Sequence, residues 1–215
     1  MDAASARTHD GHDPRLHRHQ IGQPRVDDTR LTAQYRYGQP RVDACECHSG
    51  VPCQDAACGI VRGMSKRVIF VCRGNICRSP MAERIAQRFF ADAGLDVEVT
   101  SAGITDEEHA NPMDPRARAV LNRRGYDVRP HTAHQISAEE IRRADLVVAA
   151  EPYQVQTMVR MAPSTRNIVL LRDYDPSVTP GTPLDDPWFG DESGFETIAD
   201  QIEAAMPGLV AAIRK

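Results

Sequence analysis

From Met64 onward, short continuous apolar runs alternate with stretches whose apolar residues recur every three to four positions. Residues 68–72 (Val-Ile-Phe-Val-Cys) are apolar throughout and largely β-branched or aromatic, the pattern of a strand covered on both faces. Residues 97–101, 146–150 and 167–171 read as three more strands. Between them the period changes. Ser79-Pro80 reads as an N-cap and first-turn proline, opening a helix that carries Met81, Ile85 and Phe89 and reaches Gly94. Asp114-Pro115 caps a second helix, through Val120 and Leu121 to Gly125. Ser137 and Glu140 form a capping box, with Ile136 and Ile141 spaced as a hydrophobic staple. Residues 153–161 predict another helix. Ser193 and Glu196 predict a second capping box, on a last helix with Phe195, Ile198, Ile202 and Met206 on one face. Pro207 is expected to kink or interrupt it. The alternation predicts an α/β fold: a single doubly wound four-stranded parallel sheet with helices on both faces, for which residues 64–215 suffice.

Residues 1–63 break the pattern. They hold only 8 Leu, Ile, Val or Phe, against 35 in residues 64–215, too few to offset the entropy of ordering the chain by burial. The segment is therefore expected to be a disordered extension, and Met64 offers an alternative start that would leave it outside the native protein. Gly22-Gln-Pro-Arg-Val-Asp27 recurs at residues 38–43, but two copies without an apolar face do not make a solenoid. Cys45, Cys47, Cys53 and Cys58 beside His48 invite a zinc reading. Their spacings lack the paired C-x-x-C of a tetrahedral site, so no metal is expected.

The formal charge of −4 argues against a sequence-independent nucleic-acid binder. No apolar run approaches the roughly 18 residues of a membrane span, and no secretory-type apolar segment opens the chain, so the expected compartment is the cytoplasm.

The residues able to do chemistry converge on the first strand-to-helix turn, Cys72-Arg73-Gly74-Asn75-Ile76-Cys77-Arg78-Ser79. Open α/β sheets bind ligands outside the carboxyl ends of their strands. A helix starting here aims its free amides and positive dipole end at the loop, and successive amides form an anion nest. Such a field favours a thiolate, which makes Cys72 a candidate nucleophile rather than a strand-end core cysteine. Arg78 can fold back and offer a planar, two-pronged donor to a phosphoryl group, and Gly74 would relieve a tight turn. Amides and Arg78 supply the positive charge a phosphoryl transition state demands, so no cofactor is called for. Neither G-x-G-x-x-G nor G-x-x-x-x-G-K-[ST] occurs at this turn.

Residues 71–83, Val-Cys-Arg-Gly-Asn-Ile-Cys-Arg-Ser-Pro-Met-Ala-Glu, closely resemble the signature of the low-molecular-weight protein tyrosine phosphatases. Thr100-Ser101-Ala102-Gly103, Asp114-Pro115-Arg116 and Asp186-Pro187-Trp188 carry the resemblance across residues 64–215, leaving residues 1–63 outside. It implies a monomeric enzyme acting on phosphotyrosine in proteins or peptides through a cysteinyl-phosphate. In that reading Cys72 is the nucleophile and Arg78 the phosphate-binding arginine, while the amides from Arg73 to Arg78 hold the oxygens. Ser79 would stabilise the thiolate. Asn75, Ser101 and His131 would stiffen the loop. Asp186 would protonate the leaving phenolate and then activate water.

The residues around Asp186 agree with that role. Pro187 disfavours helix at Asp186 and leaves it on an extended loop, while Trp188 and Phe189 add aromatic surface for a substrate ring. From the residues alone, a solvated acidic turn is the stronger reading, and Asp185 is the neighbouring candidate. Two related activities are disfavoured. Thioredoxin-coupled arsenate reductases need further cysteines, and none follows Cys77; protein-arginine phosphatases carry threonine at the position of Ile76. A silent phosphotyrosine-binding module ranks behind, because every residue needed for turnover is present. The wall at Glu107-Glu108-His109 is acidic where relatives often have an aromatic residue, which would disfavour acidic peptides. Glu151 stands where aspartate is common, and Cys77 is placed to form a protective disulfide with Cys72 on oxidation.

Overall fold

The computed structural model describes residues 65–215. The expected disorder, the internal repeat and the cysteines beside His48 lie outside the described residues. Strands β1 (Lys66–Cys72), β2 (Val97–Gly103), β3 (Leu146–Ala149) and β4 (Ile168–Leu170) form one parallel sheet in the order β2-β1-β3-β4. Cys72 pairs with Gly103 on one side of β1, and Val71 with Ala149 on the other. The chain leaves β1 for β2 in one direction and returns to β3 in the other. The crevice between the carboxyl ends of β1 and β3 is therefore the topological switch point.

Alternation along β1 divides the core. Val68, Phe70 and Cys72 enter one apolar layer with α1 (Arg78–Asp92), α2 (Pro115–Arg123) and α5 (Glu192–Ile213). Ile69 and Val71 enter the other with α3 (Ala138–Arg143) and α4 (Pro152–Met161). Helices thus cover both faces, which is why β1, β3 and β4 carry continuous apolar runs, while the edge strand β2 alternates with Glu98 and Thr100 exposed. Asp114 caps α2 by accepting the Arg116 amide (2.8 Å). Both bonds of the Ser137–Glu140 capping box form, and Ile136 and Ile141 are buried in the same layer.

Four local expectations are corrected. Helix α1 starts at Arg78 with Cys77 at its N-cap, so Ser79 lies inside the first turn and turns its hydroxyl to the loop instead of capping. Phe90 fills the core, and Phe89 only packs against it. Helix α5 is capped by Asp191, which accepts the Ser193 amide; Glu196 is drawn away to Arg123, the last residue of α2, and to Arg124 just after it, so no capping box forms there. Pro207 does not interrupt α5. It sits on the exposed side, while Leu209 and Ile213 beyond it are buried and Gly208 lies against the 3-10 turn Leu171–Tyr174. A Cβ at Gly208 would stand 2.3 Å from the Tyr174 carbonyl oxygen.

Candidate active site

A cleft of about 330 Å³ opens at the switch point, lined by Cys72, Arg73, Gly74, Ile76, Cys77, Arg78, Glu107, Glu108, Asp186, Trp188 and Phe189. Its floor is the loop between β1 and α1. The carbonyls of Cys72 and Arg73 accept from the amides of Ile104 and Thr105, that of Ile76 from Asp114, and that of Asn75 from the His131 ring (2.7 Å). Among the described residues every peptide is trans, so each carbonyl tied outward turns the following N–H the opposite way. The amides of Arg73, Gly74, Ile76 and Cys77 therefore face the cleft, beside the N-terminus of α1. That is a nest for an anion.

Asn75 holds the loop in shape. It is fully buried and sits at φ 61°, the left-handed region that asparagine tolerates. Gly74 does not supply that turn; it gives close packing, because a Cβ there would lie 2.7 Å from Glu108 Cγ. Asn75 Nδ2 donates to Ser79 Oγ and Ser101 Oγ (3.0 Å each), and its Oδ1 accepts from the His134 amide (3.1 Å). Ser101 in turn donates to Glu83, a buried carboxylate (2.6 Å). A carbonyl can only accept, so the His131 Nε2 facing Asn75 carries hydrogen, and burial pushes this imidazole below its ordinary pKa. Ser79 Oγ lies 3.0 Å from Cys72 Sγ and 3.2 Å from the Ala102 carbonyl oxygen. With a thiolate at Cys72, the Ser79 hydrogen goes to sulfur.

Arg78 is 3% exposed and reaches across the cleft. Nη1 donates to Glu151 (2.6 Å) and Nη2 to Asp186 (2.8 Å). Burial works against its charge, but the negative fields of Cys72, Glu151 and Asp186 raise its pKa above the ordinary value. Asp185 turns away and exchanges hydrogen bonds with Gln201 of α5, so Asp186 is the carboxylate at the cleft. Trp188 is partly exposed and Phe189 is 98% exposed. On the opposite rim Arg73 grips Glu107 with two nitrogens (2.6 and 3.1 Å), holding that carboxyl below the usual range. Cys77 is buried and free; burial first, and then the charge of Asp114, push its thiol far up, so it is a neutral donor to Asp114 (3.8 Å).

The residues singled out in the sequence thus meet at one place: Cys72, Arg78 and Asp186 on the cleft, with Ser79, Asn75, Ser101 and His131 behind it. Sequence reasoning gave no role to Glu83, Glu151 or Arg116. Glu83 and Arg116 stood inside the resembling stretches and Glu151 where aspartate is common, but nothing local said what each would bind. Among the described residues, no group of three or more His, Cys, Asp or Glu is arranged to hold a metal ion, and no helix is long and apolar enough to cross a membrane.

Comparison with known proteins agrees with this geometry. Residues 67–215 match the family model of low molecular weight phosphotyrosine protein phosphatase. A low molecular weight protein-tyrosine-phosphatase of Streptomyces coelicolor is 43% identical over 158 residues, 71% of this chain and 96% of the relative. Among solved structures, a protein tyrosine phosphatase from Entamoeba histolytica superposes with a TM-score of 0.66 at 26% identity, covering 70% of this chain and 97% of that one. The YwlE arginine phosphatase, YwlE being a Bacillus subtilis protein, superposes with a TM-score of 0.62 at 27% identity over 69% of this chain and 96% of its own; it was solved as a mutant with a phosphorylated active site serine.

Proposed function

This chain belongs to the low molecular weight phosphotyrosine protein phosphatase family, and from that membership we propose that it hydrolyses phosphotyrosine through a cysteinyl-phosphate on Cys72. The observation that carries the proposal is the convergence of Cys72, an inward-facing amide edge, Arg78 and Asp186 on one cleft. A phosphate ester enters with its oxygens on the amides and on Arg78, where one oxygen replaces the Asp186 carboxylate. The Cys72 thiolate attacks phosphorus. As the S–P bond forms, the P–O bond to the phenol breaks and Asp186, which takes up a proton from solvent once Arg78 has released it, passes that proton to the departing oxygen. Water then attacks phosphorus and gives a proton to Asp186, and the S–P bond breaks to release phosphate and restore the thiolate. Fixed amides and a fixed guanidinium stabilise charge in both steps without reorganising. Glu151 keeps Arg78 in place when Asp186 leaves it. Trp188 and Phe189 offer an apolar wall to the tyrosyl ring.

The likeness to an arginine phosphatase makes phosphoarginine the competing substrate. Ile76 on the cleft has no hydroxyl, and an apolar contact there favours an aryl ester. The test is hydrolysis of a phosphotyrosine peptide by the full chain, beside Cys72→Ser and a phosphoarginine peptide. Turnover of phosphotyrosine that Cys72→Ser abolishes, with phosphoarginine the poorer substrate, is the expected result. Preference for phosphoarginine overturns the substrate assignment. An inactive wild type that still binds orthovanadate makes the chain a binding module instead.

A further inference from the structure

We infer that Arg116 is a positioning residue that aims Asp186 at the cleft and braces the loop carrying it against the phosphate-binding loop. The inference rests on Asp186 acting as general acid. Arg116 lies in the first turn of α2 and makes contacts in three directions. Nη1 donates to the Gly190 carbonyl (2.7 Å), and Nη2 makes a long contact to the Trp188 carbonyl (3.5 Å). Nε and Nη2 fork onto the two oxygens of Asp114 (3.1 and 2.8 Å). The guanidinium carbon sits 4.7 Å from the centroid of the Phe195 ring of α5.

The ties to Asp114 and to the two carbonyls lead to the reaction centre. Asp114 is joined to the phosphate-binding loop twice, through its amide on the Ile76 carbonyl (2.8 Å) and through Cys77 Sγ. On the other side, the Trp188 amide donates to Asp186 Oδ1 (3.2 Å), so Trp188 is held at its carbonyl by Arg116 and at its N–H by Asp186. Among the described residues the Asp186 carboxylate has two partners, the Trp188 amide and Arg78. A bound phosphoryl group takes Arg78. What then aims the carboxylate is the turn through Trp188 and Gly190, and Arg116 is the side chain that holds both of its carbonyls. Arginine suits the task because one planar group serves a carboxylate, two carbonyls and a ring face at once.

The test compares full-chain Arg116→Ala and Arg116→Gln with wild type on two esters, phosphotyrosine and a phosphate of a strongly acidic phenol whose departure needs no proton. Asp186→Ala is the reference. Arg124→Gln is the control, because Arg124 ties α2 to Glu196, Asp200 and Glu203 of α5 without reaching the Asp186 loop. The expected result is a loss of kcat/KM of about tenfold on phosphotyrosine in both Arg116 variants, against less than about twofold on the acidic phenol, a fraction of a full general-acid effect. Arg124→Gln lowers Tm without splitting the substrates. Equal losses on both esters, or a split of the same size in Arg124→Gln, overturn the inference. If Asp186→Ala itself shows no split, the general-acid reading fails and this inference falls with it; a split in Asp186→Ala alone removes only the role of Arg116.

Discussion

Two loops face each other across the cleft, and they are held in opposite ways. In the turn from β1 to α1, Cys72, Asn75 and Arg78 are each no more than 3% exposed, and four carbonyls are tied to neighbouring elements. In the loop before α5, the Asp186 side chain is 49% exposed and Phe189 is 98% exposed, with Arg116 as the principal brace. The first loop stabilises developing charge, and dipoles do this best when they are already in place. The second must carry one carboxylate from Arg78 to a leaving oxygen, which requires freedom to move. The cradle is buried and tied at four carbonyls, and the acid is exposed and held by few contacts.

The largest test of this contrast removes the key group on each side. Asp186→Ala should lower kcat/KM for phosphotyrosine by about 10²–10³-fold while sparing kcat/KM for an ester of an acidic phenol, whereas Cys72→Ser loses both. Equal losses in Asp186→Ala would place it in the cradle. Next, Asn75→Ala should impair the two esters alike, because it loosens the cradle and not the acid. It leaves Ser79, Ser101 and the His134 amide short of a partner and puts alanine at positive φ, so thermal melts should show a loss of about 2–4 kcal/mol. A variant of unchanged stability would mean that the network is not what stiffens the loop. A smaller effect concerns the rim. Glu107→Gln combined with Glu108→Gln should improve kcat/KM for acidic over basic phosphopeptides by about threefold, the scale of exposed charge pairs. An unchanged ratio removes the rim from specificity.

The smallest effect is thermodynamic. Burial opposes the Asp114 charge, but bonds from the Arg116 side chain and amide hold the carboxyl below the usual range. A lowered native value means that this contribution is fully present above the ordinary carboxylate pKa and is lost as pH falls through the native one. The Tm gap between wild type and Asp114→Asn should therefore be constant near neutrality and shrink below about pH 4. A gap independent of pH would show that the Asp114–Arg116 pair adds no charge-dependent stability.

What was legible in the sequence follows the same division. The cradle is contiguous: strand, loop and helix start occur within residues 66–79, so one pattern announced the fold and the chemistry together. The acid lies 108 residues beyond Arg78, on a loop with no periodicity, and only family resemblance distinguished it from Asp185. Glu83, Glu151 and Arg116 were illegible for a related reason. A charged residue at or near a helix start is ordinarily solvated, and nothing local reports that Glu83 meets Ser101, Glu151 meets Arg78 or Arg116 reaches the Asp186 loop. Ser79 shows the reverse error. Ser-Pro is a sound capping signal, yet the hydroxyl was diverted to Cys72 and Asn75, as Glu196 was diverted to Arg123 and Arg124. Local rules failed where a side chain had a stronger partner far away in sequence.

The central claim is that phosphate passes through the sulfur of Cys72. It is tested most directly by mixing the full chain with a phosphotyrosine peptide, quenching rapidly and locating any added phosphoryl group by mass spectrometry. The account predicts one phosphoryl group on Cys72 during turnover and none in Cys72→Ala. Turnover with no phosphorylated cysteine, or with the group on another residue, would contradict it.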